Sequence, residues 1–316
     1  MLLWDVGWWE VSQTKLDTTT VKFSAPDIPV CLTGEVETRY EGLLRRREKR
    51  SMSAALNSRA VEPELAVRVN GLRKTYGSRV AVDCVDLAVP RGSFFGVVGP
   101  NGAGKTTSLR MITGLLKPDE GTIEVDGIHV WDNLVAAKSR IGVLPDDLRL
   151  FERLTGAELL YYVARLRRLD EATARQRTTE VLRAMGLENE ANQLVTDYSQ
   201  GTRKKIALGA AILHVPRVLF LDEPFESVDP VSARLLQDVL QQYRAAGGTV
   251  VLSSHVMETV ERLCDHVAIV HAGRVVASGP INEVRAGRSL EQTFLDTVGA
   301  REVHLEQLDW LQTLAV

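Results

Sequence analysis

The sequence has little cysteine. Its 316 residues include three, Cys31, Cys84 and Cys264, which lie far apart and form neither a CxxC pair nor a cysteine-histidine motif. This spacing excludes a disulfide framework. It is typical of a protein in a reducing compartment, and we expect the three thiols to be buried or idle.

Long apolar runs are also missing. No run approaches the roughly 20 residues that are needed to span a bilayer, and the most apolar stretches, FFGVVG and IALGAAILHV, are typical of core elements. The first ten residues, MLLWDVGWWE, lack a cationic region and are interrupted by acidic residues, so a signal peptide is not expected. The chain itself is predicted to be soluble.

An excess of positive charge is absent as well. The formal net charge is −3, whereas a domain whose main role is to grip a phosphodiester backbone is usually basic as a whole. Direct binding to nucleic acid is therefore not expected. The hydrophobic fraction of 45% is that of a globular protein with a core, which excludes general disorder.

Residues 1–60 lack sustained periodicity and end near the charge cluster LLRRREKR. This pattern predicts a poorly ordered leader. The cluster is a candidate contact for anionic lipid or nucleic acid, and the alternative that we favour is a solvated run, or sequence upstream of a true start at Met52. A chain that begins at Met52 is expected to fold like the full protein.

Residues 61–283 are predicted to form a folded domain. Two β-rich runs, LAVRVNG and VAVDCVDLAVP, predict an antiparallel subdomain, and the apolar strands SFFGVVG, RIGVL, RVLFLD, GTVVLSS and HVAIVH predict a mainly parallel sheet covered by helices. Residues 147–200 read as a helical insertion in which Thr155 and Glu158 form a capping box and Gly186 ends a helix. Residues 284–316 are predicted to form a C-terminal helical tail.

The stretch GPNGAGKTT directly follows a buried strand and opens a helix. It fits the pattern G-x-x-x-x-G-K-[ST], in which backbone N–H groups and the helix N-terminus surround a phosphate. Lys105 is predicted to reach the β- and γ-phosphates, and Thr106 to offer its hydroxyl to Mg²⁺. The predicted phosphate loop consists of Gly99, Pro100, Asn101, Gly102, Ala103, Gly104, Lys105, Thr106 and Thr107.

Two carboxylates follow the strand RVLFLD at the sheet edge where ligands bind in open α/β folds. Asp222 is predicted to hold Mg²⁺, and Glu223 to polarise the water that attacks the γ-phosphate. His255 follows the strand VVLSS and can reach the same edge. The alternative for His255 is a structural histidine at a strand end, whose ring is hydrogen-bonded to its neighbours.

The helix that begins at YSQGT offers a second anion site. Ser199 is a good N-cap and Gly201 permits close backbone approach, so free N–H groups and the helix dipole point towards an anion. One fold rarely brings two such sites onto a single γ-phosphate. The second site is therefore expected to serve another subunit.

With these motifs in order over residues 65–283, the sequence resembles the ATP-binding cassette (ABC) ATPases. The resemblance implies a P-loop NTPase of the α/β class, with ATP and Mg²⁺ held between the phosphate loop of one cassette and the signature of another. It assigns adenine stacking to Tyr76, for which a strand-edge aromatic is the alternative, and a D-loop contact to Asp229. It also makes Ser199, Gln200, Gly201 and Thr202 the signature, Asp222 and Glu223 the Walker B pair, and His255 the switch histidine.

Two positions depart from the family pattern. The signature Leu-Ser-Gly-Gly-Gln is Tyr-Ser-Gln-Gly-Thr here, which keeps the serine and the second glycine. The Q-loop glutamine is replaced by Asp146, a shorter and charged side chain that can still ligate Mg²⁺.

The combination of LPDDLRLFERLTGAELL with YSQGTRKK looks most like ATPase subunits of prokaryotic exporters. This resemblance implies an ATPase at the cytoplasmic face of a membrane, a separate transmembrane permease, and a second cassette that is a copy or a paralogue. The alternative is a non-transport ABC ATPase that acts on ribosomes or DNA. A coupling helix of the permease could dock on apolar side chains that core packing explains equally well: Leu150, Phe151, Leu154, Leu159, Tyr161 and Tyr162.

Overall fold

The computed structural model describes residues 64–298. The predicted leader, its basic cluster and Met52 lie outside the described residues, as do Cys31 and the tail beyond residue 298. Within the described part, Cys264 is buried as expected, whereas Cys84 is exposed.

The first sheet is antiparallel and has four strands in the order β2-β1-β4-β5. These are β1 (Leu65–Tyr76), β2 (Arg79–Pro90), β4 (Glu120–Val125) and β5 (Ile128–His129). In β2, buried residues alternate with exposed ones from Val85 to Val89, so one face of the sheet packs on the core. This is the antiparallel subdomain that the sequence predicts.

The second sheet has six strands in the order β10-β9-β3-β8-β7-β6. They are β3 (Phe94–Val98), β6 (Ile141–Leu144), β7 (Val218–Asp222), β8 (Thr249–Ser254), β9 (His266–His271) and β10 (Arg274–Pro280). Every neighbouring pair is parallel except β9 with β10, which confirms the predicted parallel core. The carboxyl ends of β3, β7 and β8 therefore meet at one edge.

Nine α-helices surround or extend these sheets within the described residues. They are α1 (Lys105–Ile112), α2 (Leu134–Arg140), α3 (Gly156–Leu166), α4 (Glu171–Ala184), α5 (Gln200–Ile212), α6 (Pro230–Ala245), α7 (Met257–Leu263), α8 (Ile281–Arg285) and α9 (Leu290–Val298). None of these helices is long and apolar enough to cross a membrane.

Within the helical insertion, α3 begins and α4 ends at residues that the local sequence predicts. The Thr155 hydroxyl accepts from the Glu158 N–H, and the Glu158 carboxylate accepts from the Thr155 N–H, which completes the capping box of α3. Helix α4 ends at Ala184, and Gly186 follows its cap with φ of 60°, a conformation that favours glycine.

The central sheet separates two hydrophobic clusters. Phe94 and Val98 of β3 pack with the insertion helices, whereas Phe95 and Val97 pack with α1 and the antiparallel sheet. The same alternation holds in β7, β8 and β9. The sheet is thus buried on both faces, and its carboxyl edge remains available for a site.

The candidate docking residues of the insertion divide into two groups. Leu159 is 2% exposed and belongs to the core, so core packing explains it. Leu150, Leu154 and Tyr161 are partly buried against the same cluster. Phe151 and Tyr162 are 53% and 42% exposed, and their rings meet edge to face at 5.2 Å. These two side chains line a surface groove of about 710 Å³ together with Leu148, Arg149, Leu150, Glu152, Arg153 and Leu154.

Candidate active site

The predicted phosphate loop connects β3 to α1 and has room only for glycine at key positions. A Cβ atom on Gly99 would lie 2.1 Å from the carbonyl oxygen of Val270, and one on Gly104 would lie 2.6 Å from that of Ala81. Gly102 and Gly104 also have φ values of 80° and 106°. Packing against β9 and β2 therefore fixes the loop, which leaves its other side to face a cleft.

That cleft has a volume of about 540 Å³, which is in the range of small-ligand sites. Its walls combine the loop with the edge aromatic Tyr76 and with charged side chains of both signs. The lining residues are Tyr76, Arg79, Ala81, Asn101, Gly102, Ala103, Gly104, Lys105, Thr106, Thr107, Asp146, Glu223 and Glu226. A nucleoside triphosphate, with a planar base and an anionic phosphate chain, suits this combination.

Lys105 is the cation nearest the loop backbone. Its side chain is 6% exposed, and Nζ donates to the carbonyl oxygen of Gly99 at 2.7 Å. The same Nζ lies 3.4 Å from Oε1 of Glu223. The ammonium group is thus held between the loop and the end of β7, and a γ-phosphate bound in this cleft would meet it directly.

Asp222 ends β7 and is 6% exposed. Its carboxylate accepts hydrogen bonds from the hydroxyl groups of Ser253 and Thr106. Burial raises the pKa of Asp222, and the negative charges of Asp146 and Glu223 raise it further, against the effect of the two hydrogen bonds. Because a nearby cation stabilises closely spaced carboxylates, this cluster suits a divalent ion.

The residues fit Mg²⁺ as a shared site. Among residues 64–298, no group of three or more His, Cys, Asp or Glu side chains encloses a metal by itself. Mg²⁺ is usually held by one or two carboxylates together with substrate phosphates and water, and Thr106 and Asp222 supply adjacent hard oxygen donors at the cleft. Asp146 is exposed at the same cleft.

Glu223 lies between the side chains of Lys105 and His255 and has a strained backbone. Its Oε2 is 3.1 Å from Nδ1 of His255, and its Oε1 faces Lys105. Its φ of 47° is left-handed, which a non-glycine residue adopts at a cost of about 1 kcal/mol or more. His255 therefore reaches the edge where the sequence places it, and its ring contacts the carboxylate that is suited to accept a proton.

The signature residues lie outside this cleft. Ser199 caps α5, since its hydroxyl accepts from the Thr202 N–H at 3.2 Å. A Cβ atom on Gly201 would lie 3.1 Å from Oδ2 of Asp229, whose other oxygen accepts from the N–H groups of Val231 and Ser232 at the start of α6. Neither Ser199, Gln200, Gly201 nor Asp229 lines the cleft of its own chain.

Sequence reasoning missed three charged residues at the site. Arg79 and Glu226 line the cleft, and Lys204 donates from α5 to the carbonyl oxygen of Glu223. The sequence did contain a signal for Lys204, because this residue falls on the same helix face as Gly201 and Leu208, both of which are buried. A lysine on such a face requires a buried partner. Arg79 and Glu226 had no comparable pattern.

Comparisons with known proteins agree with this geometry. Residues 82–226 match the family model described as ABC transporter. A daunorubicin resistance ATP-binding protein from Streptomyces coeruleorubidus is 40% identical over 71% of this chain and 71% of its own length. A Nod factor export ATP-binding protein from Ralstonia nicotianae is 38% identical over 68% and 67%.

A solved structure supports the same relation. An ATP-binding cassette in a dimeric post-hydrolysis state, bound to ADP and Pi, superposes with a TM-score of 0.64 at 25% identity, over 68% of this chain and 98% of that one. The chain therefore belongs to the ABC transporter family and is an ATP-binding cassette ATPase.

Proposed function

We propose that this chain is the ATP-hydrolysing subunit of a membrane exporter. The observation that carries the proposal is the contact of both Lys105 and His255 with Glu223 at the cleft, while the signature that completes such a site lies outside the cleft. The names of its relatives, which concern drug resistance and Nod factor export, support the direction of transport. The exported molecule is a property of the membrane partner.

In this account the phosphate loop holds ATP, and Tyr76 stacks on the base. Lys105 and the backbone N–H groups of the loop bind the β- and γ-phosphates. Thr106, Asp222 and Asp146 would hold Mg²⁺, which supplies charge neutralisation of the phosphates when bound. The substrate is thereby oriented with its γ-phosphate towards Glu223.

Hydrolysis then requires one proton transfer from water. The water oxygen forms a bond to the γ-phosphorus as the bond to the bridging oxygen of ADP breaks, and Glu223 accepts the proton that water loses. His255, which contacts Oε2 of Glu223 at 3.1 Å, keeps the carboxylate aimed at the water. Lys105 stabilises the charge that develops on the γ-phosphate oxygens.

A second cassette completes each site. The α5 N-terminus of one subunit, capped by Ser199, presents its N–H groups to the γ-phosphate bound by the other. Asp229, which packs against Gly201, lies beside that helix start and is carried to the same interface. The contact is reciprocal, because each subunit offers its signature to the phosphate loop of the other, so two identical cassettes form two identical sites.

The groove around Phe151 and Tyr162 is the proposed contact for a permease. Its exposed aromatic pair and the partly buried Leu150 and Leu154 offer an apolar surface for an amphipathic helix. Most residues of the groove lie in the segment that follows Asp146, which itself lines the cleft. Closure of the dimer around ATP would thus move the attached subunit. We propose that the chain works at the cytoplasmic face of the membrane.

Purification of the chain from detergent-solubilised membranes tests this partner. The wild-type chain is expected to recover a multi-span membrane protein, and Phe151→Asp is expected to reduce that recovery about tenfold or more, because a charge enters an apolar contact. Val135→Asp is the control, since Val135 is 74% exposed on α2, away from the groove. Recovery of ribosomes or DNA-repair proteins without a multi-span partner contradicts the exporter proposal and favours the alternative.

A further inference from the structure

A buried lysine links the signature helix to the hydrolytic centre of the same chain. Lys204 lies on α5, about one turn after the helix start at Gln200, and it is 6% exposed. Its Nζ donates a hydrogen bond to the carbonyl oxygen of Glu223. A buried ammonium group is costly unless it is paired, so this contact calls for an explanation.

The charges around Lys204 come from three other segments. Burial lowers the pKa of its ammonium group, and the carboxylates of Asp146, Glu226, Glu223 and Asp222 act in the opposite direction. Asp146 follows β6, Asp222 ends β7, and Glu226 lies in the loop after β7. Lys204 thus offsets part of a negative cluster to which Asp146 adds a charge that glutamine would not.

The contact also bears on the strained backbone of Glu223. With φ at 47°, this residue is held in a conformation that its surroundings must stabilise. Its N–H donates to the hydroxyl of Ser253 at 3.1 Å, and its carbonyl oxygen accepts from Lys204. Both backbone groups are therefore fixed, one by β8 and the other by α5.

We propose that Lys204 is a positioning residue for hydrolysis: it holds the backbone of Glu223 so that the carboxylate meets His255 and Lys105. The proposal rests on the role of Glu223 proposed above. It also gives the signature helix α5 a direct mechanical contact with the hydrolytic centre. Movement of α5 when cassettes close or a partner docks would act on Glu223 through this hydrogen bond.

The test is steady-state ATPase and nucleotide binding of Lys204→Met, which keeps length and removes the donor. We expect kcat to fall about 10- to 100-fold while the nucleotide Kd stays within about threefold, because the phosphate loop is untouched. Lys138→Met, which removes a charge from the exposed face of α2, is expected to behave like wild type. Lys204→Gln, which retains a donor group, is measured in parallel so that a folding defect in one variant leaves the other to decide.

Combination with Glu223→Gln separates positioning from general structural damage. If Lys204 acts through Glu223, adding Lys204→Met to Glu223→Gln lowers single-turnover hydrolysis little further. Wild-type kcat in folded Lys204→Met, or fully additive losses in the double variant, overturns the inference. The single variant Glu223→Gln distinguishes failure of the Lys204 proposal from failure of the proposed function. Wild-type hydrolysis in this variant refutes the role of Glu223 on which both depend.

Discussion

Glu223→Gln is expected to bind ATP like the wild type and to lose most hydrolysis. The substitution keeps the size of the side chain and its place beside His255 and Lys105, but an amide does not accept the proton from water. General-base contributions set the expected loss at roughly 10²- to 10⁴-fold in kcat. Nucleotide titration and steady-state ATPase assays measure the two effects separately.

Glu180→Gln is the matched control, since Glu180 is exposed on α4 and does not line the cleft. It is expected to retain wild-type hydrolysis. If Glu223→Gln hydrolyses ATP within about threefold of wild type, another group is the base and the role of Glu223 is wrong. Loss of nucleotide binding in this variant would instead show that the carboxylate stabilises the folded cleft.

Ser199→Arg is expected to abolish hydrolysis while the monomer still binds nucleotide through its own phosphate loop. Ser199 lies outside the cleft of its own chain, so the substitution leaves the local nucleotide contacts unchanged. In the paired cassette, however, the arginine places bulk and positive charge against the Lys105 pocket of the other subunit. The expected result is a monomer that binds ATP and does not dimerise on it.

Ser199→Ala separates this effect from loss of the helix cap. It removes the hydroxyl that accepts from the Thr202 N–H and should cost about 1 kcal/mol of stability, without blocking the interface. We expect it to dimerise with ATP. Equal loss of nucleotide binding and hydrolysis in Ser199→Arg would indicate misfolding, and hydrolysis close to the wild type would contradict the shared site.

Much of the fold is predictable because its signals are local. Apolar runs bounded by turns give β3, β6, β7, β8 and β9, and the Thr155–Glu158 capping box and Gly186 fix helix boundaries. Close contacts with β9 and β2 require the glycines of the phosphate loop, so these glycines form a pattern that can be recognised in the sequence.

The contacts within the site are less predictable, because they join segments far apart in the chain. Nothing local to Glu223 indicates that His255 lies 3.1 Å from its carboxylate or that Lys204 donates to its carbonyl oxygen. The docking residues show the same limit. Leu159 and Tyr162 follow the same apolar pattern on α3, yet tertiary packing buries the first and exposes the second.

The central claim is that each ATP site combines the phosphate loop of one subunit with the signature of another. Mixing Lys105→Ala with Ser199→Arg tests it, because each variant alone lacks one half of both sites. In a mixed dimer, the intact loop of the Ser199→Arg subunit meets the intact signature of the Lys105→Ala subunit. Random mixing gives half mixed dimers with one working site of two, so roughly a quarter of the wild-type ATPase rate is expected. No recovery above the sum of the separate variants would contradict the account.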